Sequence, residues 1–98
     1  MTGKLVRDKI PEIIVESGIE PSTRILGDEE YLLELDKKLQ EEVAEYLEQH
    51  DLAELGDVLE VIHAIADVRG QGIEAIEHIR EQKFQERGGF AKKIFLNQ

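Results

Sequence analysis

Two apolar runs at helical spacing, separated by a short polar break, constrain this chain more than any other feature. Leu32, Leu35, Leu39, Val43 and Tyr46 recur at three- and four-residue steps, which lines one face of a helix. Gln49-His50-Asp51 interrupts the pattern. Leu52, Leu55, Leu59, Ile62 and Ala66 then resume it, flanked by Val58 and Ile65. Asp28 is a predicted N-cap, with Glu29 and Glu30 in the first turn, where the helix dipole favours acids. Asp51 is placed to cap the second helix, with Glu54 three residues on as in a capping box. A turn of about two residues makes such helices antiparallel neighbours. The expected centre is therefore a hairpin over residues 29–49 and 52–69.

The remainder hangs on this hairpin. "KLVRD" at 4–8 reads as extended, and "IPEIIVESG" as a short helix with Pro11 in its first turn and Gly18 as its stop. "IEPSTRIL" is a loop with an extended end at 24–26. "RGQG" at 69–72 ends the second long helix. A third carries Ile73, Ile76, Ile79 and Phe84 and stops at Gly88-Gly89. The tail "FAKKIFLNQ" reads as a short strand or a packed arm. The expectation is one mainly α domain over 1–98, with short extended segments near the termini.

Ninety-eight residues support one core, a thin one that subunit pairing would thicken. Val61, Ile65 and Val68 suit such an interface, so a homodimer or higher homo-oligomer is expected. No run approaches the length of a membrane span, and "MTGKLVRDKIPEII" lacks the apolar stretch of a signal peptide. With no cysteine there is no disulfide framework and no thiolate metal site. These features point to a cytoplasmic chain without a membrane partner. The net charge of −10 argues against nucleic acid polymers as partners, since these need a basic face.

The acids are not evenly spread. "EEVAEYLEQHDLAELGD", Glu41 to Asp57, holds seven carboxylates in seventeen residues. Glu42 and Glu45 share a face of the first long helix, as do Glu54 and Asp57 on the second. Measured from the middle of Gln49-His50, Glu45 and Glu54 are each 4.5 positions away, and Glu42 and Asp57 each 7.5. At about 1.5 Å per residue, the two pairs lie at matching heights on antiparallel neighbours. Glu42 falls about 20° from Leu35 around the helix, on the apolar stripe itself. Asp57 is the outermost of the four. Converging carboxylates repel and are costly to desolvate, unless a hard cation sits among them. Oxygen-only donors suit magnesium or manganese. A solvated acidic face is the alternative. His50, His63 and His78 lack a ligand spacing and read as core, cap or surface residues.

Two groups of cations accompany the acids. Arg80, Lys83 and Arg87 form one stripe on the third helix, which a solvated face near a helix C-terminus would also explain. Arg7 and Lys9 alternate along an extended segment and so point the same way.

"EEVAE" followed by "ELGD" fits Glu-Glu-x-x-Glu … Glu-x-x-Asp, and resembles the MazG-type, all-α nucleoside triphosphate pyrophosphatase superfamily. The preceding "KLQ" and the longer "ELGDVLEVIHAI" extend the match. "KLVRDKIPEII" at 4–14 and "KFQERGGFAKKIFL" at 83–96 resemble a small house-cleaning, phosphoribosyl-ATP pyrophosphohydrolase-like branch. Only eight residues separate Glu45 from Glu54, fewer than in many members, which leaves less room over a base. The resemblance implies metal ligation by Glu42, Glu45, Glu54 and Asp57. Glu41 is then a further catalytic acid, reaching a second ion or orienting water. It implies phosphate contact for Lys83 and Arg87, with Arg7 and Lys9 as the second group. The implied reaction is magnesium-dependent cleavage of a nucleoside triphosphate between the α- and β-phosphates. Phosphoribosyl-ATP pyrophosphatase or dUTPase-like specificity stays open, as does a non-enzymatic acidic helical module that binds a protein.

Overall fold

The structure is a computed structural model and describes residues 3–97. Among the described residues it contains four helices: α1 (Ile10–Glu16), α2 (Asp28–Gln49), α3 (Leu52–Val68) and α4 (Gly72–Arg87). No strand occurs among the described residues. The segments at 4–8, 24–26 and 90–97 have no ladder partner and run as irregular backbone; the last residue of the expected tail lies outside the described residues. The fold is mainly α, and among the described residues no helix is long and apolar enough to cross a membrane.

Local chemistry sets the boundaries. Pro11 sits in the first turn of α1, where its missing N–H costs nothing. Asp28 is the first residue of α2, and Gly27 takes the cap position one residue earlier than expected. His50 adopts a left-handed conformation (φ 57°) and its N–H closes onto the Tyr46 carbonyl. Its ring packs edge-on against Tyr46 at 5.3 Å between centroids. That one left-handed residue lets the chain reverse within the two residues 50–51. Asp51 precedes α3 but makes no side-chain cap bond, so the capping box does not form. Glu54 is left free to turn elsewhere.

Packing departs from the apolar pattern. α2 packs on α3 and α3 on α4, while α2 and α4 do not meet and α1 touches none of the other helices. α3 is thus the central helix, with α2 and α4 as its neighbours. Among the described residues the buried apolar side chains are Leu35, Val61 and Ala66. Each large one contributes about 1.5–3 kcal/mol, a small core for a chain of this length. The N-terminal part of the expected inward stripe of α3 is turned out, with Leu52 83% exposed, Leu55 43% and Leu59 51%, whereas Ile62 is half-buried and Ala66 is in the core as expected. Val61, expected at a subunit interface, is instead in the core, and Ile65 and Val68 are half-buried. The reason is angular. Val61 lies within about 40° of Glu54, Asp57, Ile65 and Val68 around the helix, and that is the side α3 turns to α2.

Candidate metal centre

That rotation carries acids inward with Val61. Glu42 on α2 is 8% exposed, which for a carboxylate demands a partner. Glu42, Glu54 and Asp57 each offer one oxygen, and these three atoms lie within 4.8 Å of one another. The Oε2 atoms of Glu42 and Glu54 are buried and accept no hydrogen bond. Burial raises the pKa of Glu42, the Glu45 charge raises it further, Lys38 opposes the rise and Asp57 adds to it. Burial likewise raises Glu54, followed by the charges of Glu45 and Asp57.

Glu45 is exposed and stands outside the tight triad, but close enough to act on both buried acids. Asp57, the outermost by helical angle, is in the triad. Glu41 is turned to Lys38, at 3.3 Å, rather than into the cluster.

The cations of the N-terminal segment meet the acids. Arg7 donates to Asp57 Oδ1 at 2.8 Å. Arg7 and Lys9 line a cavity of about 420 Å³, together with Tyr31, Lys38, Glu42, Asp57, Glu60 and Val61. That volume is within the range of small-molecule sites, about 300–1,000 Å³. Lys83 and Arg87 do not line it; both are exposed on α4. Arg80 of the same stripe is held by Glu77 and Glu81.

Lys38 and Tyr31 are the residues the sequence reading missed. Lys38 is largely buried and lies 3.7 Å from Glu42. The signal was available: Tyr31, Leu35, Lys38 and Glu42 follow four-, three- and four-residue steps, one face of α2.

The donor set tests whether an ion fits. Three carboxylate oxygens within 4.8 Å are hard donors suited to magnesium or manganese. Glu42 and Glu54, two of the three, each also keep a buried Oε2 without a hydrogen-bond partner. An acid that merely decorates a surface stays hydrated, whereas these two do not.

No family model matches the chain, and no solved structure matches it. A stretch of 42 residues is 60% identical to an uncharacterized protein of Mycolicibacterium smegmatis. The match covers 43% of this chain and 43% of the relative, so the chain matches less than half of that protein's length.

Proposed function

We propose that the chain is a magnesium-dependent nucleoside triphosphate pyrophosphohydrolase of the MazG-like, all-α kind. One observation carries the reading: three carboxylates converge, with two buried, unpartnered oxygens, beside an open cleft lined by Arg7, Lys9 and Lys38. Glu42, Glu54 and Asp57 hold the ion, manganese serving as well, with Glu45 at the solvent edge. When bound, it supplies charge neutralisation and polarisation for phosphoryl chemistry.

The chain's own residues do the rest. Such transfers need positioning and electrostatics more than a covalent nucleophile, and the chain has no cysteine to offer. Arg7 holds Asp57 and is freed for phosphate oxygens when Asp57 takes up its ligand role. Lys9 and Lys38 add positive charge along the same wall. Water adds to the α-phosphorus, the bond to the bridging oxygen breaks, and pyrophosphate leaves beside these cations. The products are nucleoside monophosphate and pyrophosphate, as in house-cleaning of non-canonical nucleotides. A cytoplasmic location goes with such substrates. The working unit is a homodimer, because the apolar face of Leu52, Leu55 and Leu59 is left uncovered.

The test is product analysis over a panel of purine and pyrimidine triphosphates, dUTP and phosphoribosyl-ATP, with and without magnesium. Monophosphate plus pyrophosphate is expected from at least one of them. Asp57→Asn should lower the rate about tenfold or more, or about 1.4 kcal/mol of barrier. Diphosphate plus orthophosphate would overturn the reaction, and no turnover of any would leave the acidic protein-binding module as the better reading.

A further inference from the structure

The tail following α4 is the least explained part of the chain. Phe90 is 98% exposed, Ile94 81%, Phe95 84% and Leu96 73%. Four large apolar side chains in seven residues form an exposed apolar segment of the kind that marks a contact surface. The tail is not shapeless. Gly88 has φ 77° and ψ −178°, a region open essentially to glycine, and this turns the chain sharply off the helix. Gly89 lies against the Phe84 ring, where a Cβ would sit 3.2 Å from it. The Lys93 N–H then donates to the Phe90 carbonyl at 3.1 Å, closing a turn. The result is a shaped arm held off its own helices.

Its complement lies on the hairpin. Leu52, Leu55 and Leu59 recur at three and four residues on the outer face of α3, all exposed. Charge matches as well: residues 28–68 hold fourteen acids and two bases, whereas 83–98 hold four bases and one acid. The arm itself brings Lys92 and Lys93 and no acid.

A second copy of this chain is the occupant the dimensions call for. The accessible surface is 8843 Å², whereas a compact chain of this mass exposes about 5,700 Å². The difference, about 3,100 Å² for one chain, far exceeds the roughly 800 Å² per partner of a standard interface. The radius of gyration is 17.4 Å, against about 13 Å for a compact chain of this length. A stable domain packs its layers about one core; here the buried apolar side chains among the described residues are Leu35, Val61 and Ala66.

We infer that residues 88–97 are an exchange arm, which docks on the Leu52–Leu55–Leu59 face of a second copy while that copy's arm docks in return. Phe90, Ile94, Phe95 and Leu96 cover the leucines, and Lys92 and Lys93 meet the acids beside them. The arm deepens the dimer proposed above, and its test needs neither metal nor nucleotide, so the two can fail separately.

The experiment uses the full chain. Unlabelled and ¹⁵N-labelled protein are mixed, unfolded, refolded together and treated with a zero-length carbodiimide, which joins lysine to carboxylate. Light scattering should give twice the 11.2 kDa chain mass. Cross-linked peptides should join Lys92 or Lys93 to acids between 41 and 60, and mixed-isotope pairs should be present. Phe90→Asp with Phe95→Asp should shift the mass to that of one chain. A monomeric wild type, cross-links only within one isotope, or dimers without an arm-to-hairpin link would each overturn the exchange.

Discussion

Replacing Glu42 with glutamine should stabilise the metal-free protein and destabilise the metal-loaded one relative to wild type. In the wild type a carboxylate that is 8% exposed keeps an oxygen without a partner. It also faces Glu45 and Asp57, whose charges raise its pKa. A buried unsatisfied polar group costs about 1–3 kcal/mol. Lys38 at 3.7 Å offsets part of that, which favours the lower end. Glutamine has nearly the same shape, carries no charge and donates N–H groups toward neighbouring carboxylates. Lys38 keeps Glu41 as its partner. A gain of about 1 kcal/mol moves the midpoint of a domain this size by about 4–8 °C. Magnesium at a hundredfold its dissociation constant stabilises the wild type by about 2.7 kcal/mol, and the variant by much less. The two melting curves should therefore exchange order between EDTA and saturating magnesium, at fixed protein concentration and pH 8. A variant less stable than wild type in EDTA, or an equal response of both to magnesium, would refute the reasoning.

The raised pKa values of Glu42 and Glu54 mean that the native state holds protons more tightly than the unfolded one. Metal-free stability should thus rise as pH falls from 8 through their folded values toward the unfolded 4.5, and fall on the return, as thermal melts in EDTA will show. Below that window Glu30 and Glu77, held low by bonds from Arg24 and Arg80, lose their small exposed contribution. Arg7→Ala removes an ion pair whose side chains are 58% and 40% exposed; stability should change by less than about 1 kcal/mol, while nucleotide affinity in a binding titration falls at least severalfold. Lys83→Ala and Arg87→Ala, which lie outside the cavity wall, should leave nucleotide affinity unchanged in the same titration.

The hairpin was legible because its signal is local. Periodicity, the short turn and the cap residues bound both long helices to within a residue. The heights of Glu42, Glu54 and Asp57 followed from helical rise alone, since a two-residue turn fixes the register. What could not be read was rotation. The stripe Leu52-Leu55-Leu59 and the side bearing Val61 both qualify as apolar faces of α3, and only packing against α2 selects between them. The choice sent the leucines outward and brought Asp57 in. Arg7 next to Asp57 was illegible for another reason: the partners are fifty residues apart, and no spacing rule joins an irregular segment to a helix. Lys38 was visible in the spacing but hidden by the expectation that lysine is solvated.

The central claim is that the carboxylate cluster holds a hard divalent cation. Electron paramagnetic resonance of manganese tests it directly, because the sharp spectrum of the free aqua ion is lost on binding. Titrated into the protein at neutral pH, manganese should lose that signal up to at least one ion per chain, and excess magnesium should restore it. Glu42→Gln and Glu54→Gln should each weaken the uptake at least tenfold, about 1.4 kcal/mol. Undiminished free-ion signal with the wild type, or equal uptake by the wild type and both variants, would contradict the assignment of the site.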